Sequence, residues 1–230
     1  PHAACPTQDG GYLLVGDCTT YAGTGDVGTG QEWPEDLKRA ILVIKTAKDG
    51  TMEWSLRFGK IGHNYGKFAV QLPDGTYMIA GVSSVTDIDI VDFPYVQRRV
   101  LLRVSTDGIL MKETVFPSAN PNQPGRRDGI MGLAAEKGIT ESGGFILYAT
   151  GYVGGEVGYD PNTGEYDDDP MFLINLGRTF VTKLIVPALV PGKKSVTDPE
   201  VEWYRPIDAG ICDAKAAFRQ GMRLFIDYNK

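Results

Sequence analysis

Apolar residues along this chain fall in short runs separated by glycine-containing polar turns. One phrase opens three of the runs: DGGYLLVG from Asp9 to Gly16, DGTYMIAG from Asp74 to Gly81 and SGGFILYATG from Ser142 to Gly151. Runs this short, rich in branched and aromatic residues and bounded by Asp and Gly, predict β-strands. No segment sustains a helical period, although the insertions leave room for short helices, for example around Pro34 to Arg39. The aromatic of the phrase returns after 65 residues, from Tyr12 to Tyr77, and again after 68, at Phe145. The chain therefore reads as an array of similar β units.

Each unit continues past its opening phrase. In the first, AILVIK (Ala40 to Lys45) leads through Asp49-Gly50 to TMEWSLRF, an Asp-Gly hairpin signal. The second repeats this with VLLRV (Val100 to Val104), Asp107-Gly108 and ILMKETVF; the third joins FVTKLIV (Phe180 to Val186) to VEWY (Val201 to Tyr204) by a proline-rich loop. An apolar run before each phrase, in HAACPTQ, KFAVQL and GIMGLAAEK, makes four strands per unit. The surplus length lies between the second and third strands each time, at Asp17 to Arg39, Val82 to Arg98 and Tyr152 to Thr179. A fourth unit begins with ICDAKAAFR (Ile211 to Arg219) and MRLFID (Met222 to Asp227). The expected organisation is one domain over residues 1–230, in units 1–65, 66–127, 128–209 and 210–230.

The sequences DGGYLLVG, AILVIKTAKDGTMEW and FGKIGHNYGKFAVQLPDGTYMIAG resemble the bacterial and archaeal type of β-propeller repeat. Its pattern is Gly-Gly-Tyr-Ile-Val-Ala-Gly, an apolar strand ending in Lys, an Asn-Gly or Asp-Gly turn, a Trp and a Gly-rich connection. The likeness departs from that pattern in the long insertions and in the third unit's loop. It implies an all-β fold, a β-propeller of four-stranded antiparallel blades; by the spacing of the repeat this chain holds about three and a half blades, with long insertions between second and third strands. It also implies an extracellular or cell-surface setting, and no particular activity, because function resides in sites and not in folds. A ring of such blades needs at least about four to close. The expectation is that another chain or the rest of the polypeptide completes it, and a sequence starting at Pro1 without Met fits a processed or excised chain.

Charge narrows the partners. A hydrophobic fraction of 42% suits a globular protein with a core, and a formal net charge of −6 argues against nucleic acid. No apolar stretch approaches the roughly 20 residues of a membrane-spanning helix, and PHAACPTQ has no signal-peptide pattern. The three insertions together hold 14 acids and four bases, a net −10, which leaves 15 acids and 19 bases, +4, for the rest. Equivalent connections of stacked units emerge on one face, so an acidic face is expected, attractive to cations or basic partners. Cys5, Cys18 and Cys212 form no metal-ligand pattern. In an extracellular setting Cys5 and Cys18 could bridge; otherwise all three are ordinary buried thiols.

Candidate chemistry is concentrated in the insertions. In DPNTGEYDDD, the residues Asp160, Asn162, Asp167, Asp168 and Asp169 crowd oxygen ligands as a calcium loop does. Glu165 and Met171 stand where such a loop carries Gly and a closing Glu, and the same run reads as a hairpin turned by Asn162-Thr163-Gly164 with a solvated acidic flank. Calcium is thus the one cofactor raised. Alternation sets Asp87 and Asp89 on one side of a strand in TDIDIVD, either as ligands or as an exposed edge. Tyr21, Trp33 and Tyr159 offer aromatic contacts to a sugar or a protein, or else pack their own loops. Trp54 and Trp203, in similar last-strand positions, are expected to pack between blades.

No nucleophile elbow, HExxH helix or phosphate loop appears, His2 sits next to the terminus, and His63 reads as a surface-loop histidine, so no catalytic residue is assigned. The leading expectation is a non-enzymatic binding or structural propeller presenting an acidic face to a protein, glycan or cation. The alternative is a carbohydrate-active enzyme that pairs two insertion carboxylates.

Overall fold

The computed structural model describes residues 1–19, 35–85, 96–117, 127–155, 178–189 and 196–207, and they form an all-β protein. The first sheet comprises β1 (Ala3–Pro6), β2 (Tyr12–Thr19), β3 (Leu37–Thr46) and β4 (Met52–Phe58), with the two-residue β5 (Gly62–His63) running parallel beside the start of β3. The second comprises β6 (Tyr65–Gln71), β7 (Tyr77–Val85), β8 (Val96–Val104) and β9 (Leu110–Val115). The third comprises β10 (Arg127–Ile139), β11 (Phe145–Gly155), β12 (Arg178–Val186) and β13 (Glu200–Ile207). Each is an antiparallel meander in chain order, so the four strands per unit read from the sequence are present in all three.

The turns explain the meander. Gly10, Gly75 and Gly143 close the first hairpin of the three sheets, and Gly50 and Gly108 close the third–fourth strand hairpin of the first two, all with φ between 77° and 88°. In each, the glycine N–H donates to a carbonyl three residues back, as Gly50 does to Ala47 at 3.1 Å. A side chain in this left-handed region is strained, which is why the Asp-Gly signal in the sequence is reliable. The last glycine of the phrase has a different task. A Cβ on Gly81 would lie 1.9 Å from the Tyr65 carbonyl, and one on Gly151 2.0 Å from that of Gly129, so the first strand approaches the second at bare backbone.

Packing follows from alternation along the strands. On β7, Tyr77 and Ile79 point to the first sheet, where with Val100, Leu102 and Val104 they meet Leu13, Val15, Ile41 and Val43. Met78, Ala80 and Leu101 point the other way, into a second core with Phe145, Leu147, Ala149, Phe180 and Leu184 of the third sheet. The middle sheet is therefore apolar on both sides, and eight of nine residues of β7 are buried. β13, at the edge of the third sheet, has no buried residue. Trp54 does pack between sheets: its Nε1–H donates to the Thr106 carbonyl at 2.8 Å, and its ring centre lies 5.9 Å from that of Tyr77.

Three expectations need correction. The insertions are shorter than read, because strand pairing carries Asp17 to Thr19, Val82 to Val85 and Tyr152 to Gly155 on one side, and Leu37 to Arg39, Val96 to Arg98 and Arg178 to Thr179 on the other. The same pairing places Leu37 to Arg39 in β3, so the suggested helix over Pro34 to Arg39 does not form there. Cys5 faces Leu13 across β1 and β2, five positions from Cys18 and thus about 17 Å away along the strand. Both thiols are free, and no bridge could span that distance.

The Trp54 contact gives a matched test of sheet stacking. Gly50→Ala meets nothing within 4 Å and should cost only backbone strain, about 1–2 kcal/mol. Gly108→Ala has the same strain, and its methyl would lie 2.7 Å from the Trp54 ring; a further loss of about 1–3 kcal/mol is expected. Urea unfolding of the two variants measures the difference, and equal midpoints would contradict the packing described.

Candidate functional site

The β2–β3, β7–β8 and β11–β12 connections each join the second strand of a sheet to the third. Tyr21, Trp33, Asp87, Asp89, Tyr159, Asp160, Asn162, Asp167, Asp168 and Asp169 lie outside the described residues, as does the fourth unit. The structure thus defines the platform from which these connections depart.

At the first sheet the platform is built on Asp17, at the end of β2 and 8% exposed. Arg39 of β3 donates to one of its oxygens, and His2 Nε2 lies 2.5 Å from the other. Burial alone would raise the Asp17 pKa, but the bonds from Arg39 and His2 outweigh it and hold the carboxyl below its ordinary range. By sequence Asp17 falls in the first acidic insertion and His2 next to the terminus. In fact the two close on each other, because β1 pairs with β2 and brings the N-terminus back along it.

Between the first and second sheets the joining residue is Asn64, fully buried between β5 and β6. Its side-chain N–H groups donate to the carbonyls of Arg39 and Ile61, both at 2.9 Å. Its oxygen accepts from Ser83 Oγ at 2.9 Å and from the Ser84 N–H at 3.0 Å. One amide therefore ties the start of β3 to the end of β7. His63, read as a surface-loop histidine, forms part of strand β5. Its backbone N–H donates to Ser84 Oγ at 2.9 Å, and its ring stacks on Tyr65 with centroids 6.3 Å apart.

Cations dominate the half-buried interior of this end. Arg39 lies 5.4 Å and the Lys67 ammonium 4.9 Å from the Tyr65 ring centre. Burial pushes the Lys67 pKa down, with Asp17 opposing and Arg39 adding to the shift. Between the second and third sheets, Arg99 lies within 5.9 Å of the ring centres of Phe116, Phe180 and Tyr204, and 3.9 Å from the fully buried Asp128. Burial lowers its pKa as well. It stays charged all the same, since an arginine starts far above neutral pH. The strand ends that flank the acidic connections therefore enclose a mainly cationic interior.

The chemistry available on the platform is limited. Burial raises the pKa of both Cys5 and Cys18, so each is a thiol and a poor nucleophile at neutral pH. Among the described residues no cluster of three His, Cys, Asp or Glu side chains could hold a metal ion. Among them also no helix is long and apolar enough to cross a membrane. No family model matches the chain, and a search of curated proteins finds no match either.

Two measurements test the platform. Asn64→Ala removes four buried side-chain hydrogen bonds, and a loss of about 3 kcal/mol is expected from the groups left unsatisfied. A loss below about 1 kcal/mol by chemical denaturation would show that Asn64 does not join the sheets. The second concerns pH. A carboxyl held below its unfolded pKa, about 3.9, adds stability that is complete above that pH and disappears as the pH falls through the folded value. Asp17→Asn should therefore flatten the acid limb of stability between about pH 5 and 2 relative to the unchanged protein.

Proposed function

We propose that this chain is a non-enzymatic scaffold of β-propeller type. Its three sheets are consecutive blades, and its acidic connections present a binding face to a cation or a basic segment of a protein or glycan. The observation that carries the reading is where the polar groups of the platform are spent. Asn64, Asp17, Arg39, His2 and Arg99 bind strands and sheets to one another, which leaves recognition to the connections between second and third strands. The segment 156–177 carries six acids and no base, and such a density of one sign favours positively charged partners and salt-sensitive association. An extracellular or cell-surface location, and calcium as the cation, belong to the same reading.

A fluorescent oligolysine peptide tests it. The full chain should bind with an affinity that falls as salt rises. Changing Asp160, Asp167, Asp168 and Asp169 together to Asn should weaken binding by about tenfold or more, while the unfolding free energy from urea titration stays within about 1 kcal/mol. Equal affinities would overturn the assignment of that segment. For calcium, the thermal midpoint is compared with chelator and with added Ca2+; a midpoint identical in both removes the cation from the proposal.

A further inference from the structure

A bulge on β6 sets one cation apart from the others. Gly66 pairs with Gly81 and Phe68 with Ala80, so Lys67 is an extra residue between two ladder pairs. Such a bulge re-aims a side chain out of the strand's alternation. The third sheet has the same device opposite the last glycine of its phrase: Ile130 pairs with Gly151 and Gly132 with Thr150, and the extra residue is Met131. An apolar side chain therefore serves the fold at this position, and the ammonium of Lys67 is not required by the bulge.

The other buried or half-buried lysines of the described residues all meet carboxylates. Lys45 reaches Asp9 and Glu53, Lys112 reaches Asp198 and Lys183 reaches Glu202, each within 3.0 Å. Lys67 is half-buried, and among the described residues its one contact of this kind is the Tyr65 ring, whose centre lies 4.9 Å from the ammonium. Asp17 acts on it only from further off, since Arg39 and His2 hold the two carboxylate oxygens. Arg39 stands 5.4 Å from the same ring centre, and its Nε is buried and meets no acceptor. Two cations thus share one aromatic ring, each with a donor unused.

This arrangement disfavours the ammonium and favours an anion in its place. Burial and Arg39 both stabilise the uncharged amine of Lys67, against the pull of Asp17. An uncharged lysine amine is a nucleophile. Half burial suits a small, neutral electrophile, and the unused donor of Arg39 suits a product that carries negative charge.

We propose that Lys67 is a modification site that takes up carbon dioxide as a carbamate, with Arg39 as its counter-ion. The ammonium first releases a proton to water. The nitrogen lone pair then forms a bond to the carbon of CO2, one C–O π bond opens onto its oxygen, and the nitrogen loses a second proton. The amine and CO2 become a carbamate and a proton, with no change of oxidation state. The charge at the site inverts, and the ring that held two cations then lies beside an ion pair. The inference is independent of what the acidic connections bind.

The full chain is equilibrated with isotope-labelled bicarbonate at about pH 8 and treated with triethyloxonium, which esterifies carbamates, and the labelled lysines are located by peptide mass spectrometry. Lys67 should carry at least about ten times the label of the exposed Lys48 and Lys137. Arg39→Gln should lower the label at Lys67 by about tenfold, because it restores the ammonium and removes the partner of the carbamate. Lys67→Met, which installs the residue of the equivalent bulge, should keep the urea midpoint. It should also abolish the rise in that midpoint that bicarbonate gives the unchanged chain at constant ionic strength. Label at Lys67 no greater than at Lys48 and Lys137 would overturn the proposal, and so would a bicarbonate effect that persists in Lys67→Met.

Discussion

The structure depends on the fact that successive side chains of a strand point to opposite sides. A strand with apolar residues at nearly every position then has two faces to bury, and β7 with β8 is such a ribbon: Tyr77, Ile79, Val100 and Leu102 look one way, Met78, Ala80 and Leu101 the other. Only a sheet with a neighbour on both sides satisfies that pattern. The first and third sheets supply the neighbours, and the order of the stack follows the order of the chain.

Where the stack must bury charge, it does so in pairs placed by the repeat. Lys45, 2% exposed at its side chain, reaches Asp9 at 2.8 Å and Glu53 at 2.9 Å. Burial would lower the Lys45 pKa, but the bonds to the two carboxylates prevail and raise it. In the second sheet Arg103 takes the same place and reaches Asp74 at 2.7 Å, with a further bond to the Pro187 carbonyl of the third sheet at 2.6 Å. In the third, both partners change at once: Ser142 stands at the turn and Ile185 opposite Ile146. Removing one partner of a buried pair leaves an uncompensated charge, whereas replacing both by uncharged residues is close to neutral. The joint replacement is what that asymmetry requires.

Strands and turns were legible because their signals are local. Asp-Gly fixes a left-handed turn wherever it stands, and a run such as AILVIK makes a strand in any sheet. The ends of the strands were not legible. Ser83, Ser84 and Arg98 read as loop because they are polar, yet they belong to β7 and β8. What makes polar residues tolerable there is a partner distant in sequence, such as Asn64 in the link between β5 and β6 for the two serines. A single Asn in a Gly-rich stretch looks like a turn residue, and nothing in its own neighbourhood announces contacts some 20 positions away. For the same reason the His2–Asp17 contact was missed: it exists only through the pairing of β1 with β2. The candidate acids and aromatics of the connections fall outside the described residues, so the structure sharpens only the strand ends that flank them.

The repeat phrase also separates effects of sequence from effects of position. Tyr12, Tyr77 and Phe145 occupy the same place in it, and their chemistry is nearly identical, but their exposures are 47%, 1% and 3%. The difference cannot come from local propensity, since the preceding turn and following strand match in all three. It comes from the neighbour: Tyr77 and Phe145 each face the sheet before their own, and among the described residues no sheet precedes the first. A tyrosine whose counterparts are buried is thus left half in water at one end of the stack, and at the other end Ile146, Tyr148 and Trp203 are half-buried in the same way. The charged connections and the open ends are thus separate properties of the molecule. The first is a matter of charge along the sequence, and the second of apolar surface at the ends of the stack.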